Sequence, residues 1–161
     1  MRVDPVIALM DEIERAYVML ADARSADDWP ATRRGLARIA MLHQRLIATE
    51  PATVIGAACL LREAASLLPQ SQGPSLSDSL RAIAARFDEG RRRIEDLVWL
   101  RGIAGELATG ASGDLGQAAA NMIRLAIKGA ARPVLLFRAV SPSTSMPRVQ
   151  ERRPPAIPST S

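Results

Sequence analysis

Apolar residues recur every three or four positions through the first hundred residues, and this spacing predicts amphipathic helices. Four segments show the pattern. Their predicted buried stripes are, in chain order, Val6, Met10, Ile13, Tyr17 and Leu20; then Leu36, Ile39, His43 and Leu46; then Val54, Ala58, Leu61, Ala65 and Leu68; and finally Leu76, Leu80, Ile83, Phe87, Ile94 and Leu97. Gly90 lies on the fourth stripe, where it weakens a helix by about 1 kcal/mol relative to Ala.

Capping residues and prolines delimit these segments. Asp4 followed by Pro5 is typical of a helix start, and Asp28 opens the second segment in the same way. Pro51 and Pro69 end the second and third segments. The resulting links are short, and short links favour antiparallel neighbours. We therefore predict an all-α protein whose residues 1–101 form an up-and-down four-helix bundle.

The last third of the chain has a different composition. Five glycines lie between Trp99 and Gln117, at positions 102, 105, 110, 113 and 116. We predict that residues 102–140 contain a Gly-rich linker with a short turn at 103–107. An additional C-terminal amphipathic helix, from Leu115 to about Ala131, is predicted to pack on or beside the bundle. Residues 141–161 are mostly Ser, Pro, Thr and Arg and are predicted to form a disordered tail.

The charge distribution singles out that predicted C-terminal helix. The chain has 161 residues and a formal net charge of +4, all of which comes from residues 102–161, because acidic and basic residues balance before them. Arg124, Lys128 and Arg132 lie on one polar stripe and are the candidate residues for contact with a polyanion or a partner. The alternative is that this helix simply packs on the bundle with its basic face in water.

Few residues are candidates for chemistry. His43 is the single histidine and a candidate phosphoacceptor, as in histidine phosphotransfer bundles, although the lysine and glycine that follow such a histidine are missing here. Cys59 is the single cysteine and is predicted to be a small buried residue. We find no catalytic constellation, predict no cofactor or metal site, and see no small-molecule substrate.

Arg91, Arg92 and Arg93 form a basic cluster within the fourth segment. The acidic residues four positions away on either side are Asp88, Glu89, Glu95 and Asp96. On one continuous helix these would form i,i+4 ion pairs. We therefore predict a solvated, self-neutralising helix face and not a nucleic-acid site.

Two runs of sequence resemble a known group of proteins. Residues 4–12 read DPVIALMDE, and residues 47–62 read IATEPATVIGAACLLR. They resemble a family of small uncharacterised alphaproteobacterial helical proteins, in which helix one opens with Asp-Pro and a Thr-Pro-Thr-rich junction leads into a Gly-Ala-Ala-Leu-Arg helix. The resemblance covers about residues 4–68. It implies a bacterial helical protein and carries no catalytic residues.

These observations favour function through binding. The acidic residues near the N-terminus argue against a secretory signal, and no apolar run reaches the roughly 18 residues of a membrane span, so we expect a cytoplasmic protein. The leading hypothesis is a non-catalytic protein–protein interaction module that binds a partner or itself. The alternative is an accessory protein that contacts nucleic acid or an anionic membrane through Arg124, Lys128 and Arg132. The second alternative is a phosphotransfer bundle that uses His43.

Overall fold

A computed structural model describes residues 3–69, 75–110 and 113–132. Over these residues the chain is all-α, as predicted, with no strand. The predicted tail of residues 141–161 and residues 133–140 of the preceding segment lie outside the described residues. Six helices are described: α1 (Pro5–Ser25), α2 (Trp29–Ala48), α3 (Val54–Leu67), α4 (Leu76–Asp88), α5 (Ile94–Thr109) and α6 (Gly113–Ala131).

Side-chain caps start the first four helices. Asp4 and Asp28 cap α1 and α2, each just ahead of a proline in the first turn. Thr53 caps α3, and Ser75 forms a capping box with Asp78 at the start of α4. Each cap satisfies a backbone N–H that has no partner inside its own helix. The bond from Ser75 also holds the pKa of the Asp78 carboxyl below its usual range.

The fourth predicted segment is two helices, not one. Gly90 has φ of +72°, and its N–H bonds to the carbonyl of Phe87, while the N–H of Arg91 bonds to the carbonyl of Arg86. This pair of bonds is a Schellman motif, which terminates a helix with a left-handed residue. Ile94, predicted on the same stripe as Phe87, consequently starts α5 with 79% of its surface exposed, whereas Phe87 is fully buried.

The prediction of a turn at residues 103–107 is also wrong. α5 continues from Ile94 to Thr109 without interruption, so it crosses position 101 and contains Gly102 and Gly105. A Cβ at either glycine would meet nothing within 4 Å, which means that both face open space. Isolated glycines weaken a helix by about 1 kcal/mol each but do not end it when the neighbouring residues pack.

α6 is a central helix and not an addition to a completed bundle. It packs against α3 and α5 and touches α2. Nine of its residues are buried, most of them small: Gly116, Ala119, Ala120, Met122, Ile123, Ala126, Ile127, Gly129 and Ala130. Seven residues of α3 are buried as well, and five of them are Gly or Ala. Small side chains let two helix axes approach closely, so α3 and α6 form the middle of the core.

Contacts at the ends of α3 and α6 show the relative direction of these two helices. Gly129, near the end of α6, lies against Pro51, just before α3. At the other end, Leu68 and Gly116 line one cavity, so α3 and α6 run in opposite directions. The same cavity is lined by Leu76 at the start of α4 and by Leu107 near the end of α5.

α1 and α2 form a hairpin. The two helices pack mainly against each other, with smaller contacts from α1 to α3 and from α2 to α6. Its base is well buried, with Val6, Leu42 and Leu46 almost fully covered. Between residues 21 and 38 the single buried residue is Thr32. The tip of the hairpin, residues 21–38, therefore projects from the rest of the molecule.

Asp4 joins the base of the hairpin to α3. Its Oδ1 accepts from the N–H of Val6 at 2.9 Å, and its Oδ2 accepts from the N–H of Ala52 at 2.9 Å. The same oxygen accepts from the N–H and the hydroxyl of Thr53, both at 2.6 Å. Gly56 leaves room for this carboxylate, since a Cβ there would lie 2.4 Å from Oδ2. One buried aspartate thus caps α1 and anchors the link before α3.

Candidate functional site

The predicted basic stripe of α6 is exposed but partly engaged within the chain. Arg132 donates to Glu50 at 2.6 Å, and this bond ties the end of α6 to the link between α2 and α3. Arg124 donates to the side-chain oxygen of Asn121 at 3.4 Å. Lys128 is exposed on the same stripe. Of the three candidates, Arg132 therefore forms an ion pair within the chain.

Arg91, Arg92 and Arg93 do not lie on a helix, so the predicted i,i+4 pairs do not form. The three arginines occupy the link between α4 and α5. There Arg92 donates to the carbonyls of Ala130 and Arg132 at 2.9 and 3.0 Å. A guanidinium at these carbonyls caps the end of α6 and complements its dipole. Arg92 thus ties the link between α4 and α5 to the end of α6.

Two acidic neighbours of that cluster, Asp88 and Asp96, bind arginines outside it, while Glu89 pairs with Arg91 at 3.3 Å. Asp88 pairs with Arg62 of α3. Asp96, which is buried, makes two bonds to Arg86 at 2.9 and 2.6 Å. These bonds raise the pKa of the Arg86 guanidinium and join α4 to α5 across the Gly90 turn.

His43, the candidate phosphoacceptor, is half-buried on α2. Its ring stands edge-on to the ring of Tyr17, with centroids 6.4 Å apart and planes at 75°. This geometry is favourable for aromatic pairs. Tyr17 therefore packs against one side of the His43 imidazole.

Cys59 lies half-buried on α3. Burial raises the pKa of its thiol, and the nearby Arg62 opposes that effect without cancelling it. A raised pKa leaves less of the nucleophilic thiolate at neutral pH. Cys59 therefore resembles an inert packing residue.

Leu36 and Tyr17, which sequence periodicity assigned to the core, contribute to the exposed apolar surface of the hairpin. Trp29, Leu36 and His43 are seven residues apart and lie along one side of α2. Trp29 is 74% exposed and Leu36 46%, and Tyr17, beside His43 on α1, is 50% exposed. We call these four residues the hairpin edge. Tyr17 and Leu36 were predicted in the buried stripes, and this prediction is wrong.

Concave surfaces surround the start of α2. One cavity of about 360 Å³ lies between Trp29 and Leu36, with Arg24, Asp27 and Thr32 at its walls. A second, of about 540 Å³, is lined by Trp29, Pro30, Arg33 and Arg34. A third, of about 320 Å³, lies on the other side of the hairpin between Met19 and Arg38. Exposed tryptophan beside concave surface is typical of binding hot spots.

The charges of the hairpin were missed because they cancel in the sum over residues 1–101. α2 carries four arginines and no acidic residue, namely Arg33, Arg34, Arg38 and Arg45. α1 carries four acidic residues against two arginines. A charge count for each helix would have shown that α1 is net acidic and α2 is net basic.

Two further properties concern the described residues only. No helix among them is long and apolar enough to cross a membrane. No group of three or more His, Cys, Asp or Glu side chains within the described ranges could hold a metal ion.

Comparison of the chain with protein-family models, with curated proteins and with solved structures found no match. The resemblance of residues 4–68 to alphaproteobacterial helical proteins therefore stays a prediction.

Proposed function

We propose that this chain is a non-catalytic, cytoplasmic protein–protein interaction module whose projecting α1–α2 hairpin binds a helix of a partner protein. The observation that carries the proposal is the hairpin edge. Trp29 and Leu36 lie two helical turns apart with large exposed fractions, and they flank a cavity. Side chains at this spacing on an open helix pair are what a third amphipathic helix needs for packing.

The rest of the molecule would serve as a rigid support. We propose that α3 to α6 form an up-and-down bundle, because the end of α3, the start of α4, the end of α5 and the start of α6 all line one cavity. The hairpin joins this body at its base through Asp4 and the buried residues Val6 and Leu46. Its tip, residues 21–38, stays accessible for binding.

Site-specific photo-crosslinking in cells tests this function. A benzophenone amino acid at position 36 should give a discrete covalent adduct with a partner chain, and Trp29→Ser should weaken that adduct. The same probe at Ala82, an exposed position of α4, serves as the control. Equal adducts at both positions, or none at position 36, would refute the assignment of the hairpin edge.

Polyanion binding through α6 is the alternative proposal. Its support is the exposure of Arg124 and Lys128 on one side of the helix. The engagement of Arg132 by Glu50 counts against it. Binding of duplex DNA or anionic vesicles that persists at physiological salt, and is lost when Arg124, Lys128 and Arg132 are changed to Gln, would favour this alternative.

Phosphotransfer through His43 is the weakest proposal. It has the support that His43 is half-buried on a helix and not fully enclosed. Incubation with acetyl phosphate tests it directly. An acid-labile phosphoryl group that is absent in His43→Gln would establish it, and no uptake is expected.

A further inference from the structure

Two cavities meet at Trp29, and arginines line both of them. The cavity of about 360 Å³ includes Arg24 at the end of α1, and the cavity of about 540 Å³ includes Arg33 and Arg34 of α2. Among the described residues, Asp27 is the single acidic one that lines either cavity. The surface around Trp29 therefore carries three positive charges against one negative charge.

These arginines are available to a partner. The ion pairs found between described residues involve none of Arg24, Arg33 and Arg34, and all three are exposed. Asp28, the next residue after the turn, is engaged as the cap of α2, where it accepts from the N–H of Ala31 at 2.9 Å. The start of a helix also carries a partial positive charge. Positive charge is thus concentrated at the tip of the hairpin.

The charge beside the hairpin edge changes sign toward the base of the hairpin. Glu14 lies three residues before Tyr17 on α1, so the two side chains are neighbours on the helix surface. Glu14 is exposed and takes no part in the ion pairs between described residues. The hairpin edge is therefore basic near Trp29 and acidic near Tyr17.

We propose that the partner helix is amphipathic and that it is acidic at the end that lies over Trp29. This inference rests on the proposed function and names the chemistry of the partner. The apolar stripe of the partner helix covers Trp29 and Leu36. Asp or Glu side chains beside that stripe meet Arg33 and Arg34 on one flank and Arg24 on the other. Charge complementarity of this kind selects the partner more than it adds affinity.

Two features favour an acidic helix over a nucleic acid as the occupant. Asp27 lines the cavity beside Trp29, and a helix can place a neutral residue there, whereas every nucleotide brings a phosphate that Asp27 repels. The exposed surface also continues from Trp29 to Leu36, which is aliphatic, whereas bases stack on aromatic side chains. An amphipathic helix covers the aliphatic surface and neutralises the arginines at the same time.

Selection from a peptide library, with the full chain as bait, tests the charge preference. Residues 29 to 43 span about 21 Å, so displayed helices of about 18 residues, about 27 Å long, cover the hairpin edge. The library keeps a leucine stripe constant and varies the flanking positions among Glu, Lys and Gln. We expect Glu to exceed Lys by about threefold or more at the flanking positions of one end only.

Charge reversal of the site is the decisive step. With Arg33→Glu and Arg34→Glu, the preference at that end should change from Glu to Lys. A fluorescently labelled acidic helix from the first selection should bind this variant about tenfold more weakly than the wild-type chain. The matched control is Arg101→Glu with Arg124→Glu, at exposed positions of α5 and α6, because it changes the net charge equally and should leave affinity and preference unchanged.

Circular dichroism checks folding of each variant, and Arg33→Gln with Arg34→Gln is a milder change that should abolish the preference. Selected helices that show no excess of Glu, or an excess that persists in the charge-reversed chain, would overturn the proposal. A single-stranded RNA oligonucleotide that binds more tightly than the selected helix, and loses binding in the charge-reversed chain, would overturn it in favour of a nucleic acid.

Photo-crosslinking in cells separates this inference from the proposed function. An adduct at position 36 that persists unchanged with Arg33→Glu and Arg34→Glu would refute the acidic partner and leave the proposed function standing. If no adduct forms at position 36 although the wild-type chain selects acidic helices, the proposed function fails and the charge preference of the hairpin edge stands. We expect the adduct to form in the wild-type chain and to be lost on charge reversal.

Discussion

At the scale of single residues, a few buried polar and small side chains determine how the helices meet. Asp4 is the clearest case, because its carboxylate accepts four bonds from the start of α1 and the link before α3. Sequence reasoning identified Asp4 as a helix cap. It could not identify the partners at Ala52 and Thr53, which lie about fifty residues away in sequence.

Replacement of Asp4 tests this double role. Asp4→Ala should lower the free energy of unfolding by roughly 2–4 kcal/mol, since it removes a cap and leaves backbone donors of Ala52 and Thr53 without a partner. Asp28→Ala is the matched control, because Asp28 caps α2 alone at an exposed site, and it should cost about 1 kcal/mol. Equal losses in urea denaturation would contradict the bridging role of Asp4.

Glycine substitutions distinguish the buried helix α6 from the exposed face of α5. A Cβ at Gly129 would lie 2.4 Å from the ring of Pro51, so Gly129→Ala should destabilise the protein by about 1–3 kcal/mol. Gly102→Ala adds a methyl group in open space on a helix and should instead stabilise by about 0.5–1 kcal/mol. Thermal unfolding of both variants would show shifts of opposite sign if α6 packs as described.

At the scale of elements, the boundary between α4 and α5 is the main departure from the periodic pattern. The apolar stripe continues in register from Phe87 to Ile94, and only the left-handed Gly90 interrupts it. The sequence showed this glycine as a weak point. The Schellman bonds and the pairing of Arg86 with Asp96 make it the end of a helix.

Substitution of Gly90 tests that boundary. Gly90→Ala should destabilise by about 1–2 kcal/mol, because an L-residue with a side chain is strained at φ of +72°. If residues 76–97 formed one continuous helix, the same change would stabilise by up to about 1 kcal/mol. The sign of the change in unfolding free energy therefore distinguishes the two structures, with Gly105→Ala in α5 as the stabilising reference.

At the scale of the whole molecule, burial is uneven. α3 and α6 are packed on several sides by other helices, whereas the hairpin tip is covered mainly by its own two helices. Local opening is easiest where few apolar contacts must be broken. The protein should therefore consist of a stable centre and a less stable projecting arm.

Hydrogen exchange measured by mass spectrometry tests this division. Backbone amides of α3 and α6 should be the most protected, and those of residues 21–38 should exchange much faster under native conditions. The base of α1, near Val6 and Ile13, should be intermediate and act as an internal reference. Uniform protection along α1 and α2 would show that the arm is as stable as the centre.

The sequence by itself determined the all-α class and most helix boundaries, because spacing, caps and prolines act within a few residues of each other. Asp4, Asp28 and Pro51 mark ends that the structure retains. Tertiary structure alone decided which helices are central. Periodicity reveals an apolar face but not what covers it, so Leu36 and Tyr17 were predicted as buried although no helix in the described chain covers them fully. Conversely, the small residues of α6 gave a weak apolar signal, yet their size is the physical reason that this helix can lie against α3 at the centre of the core.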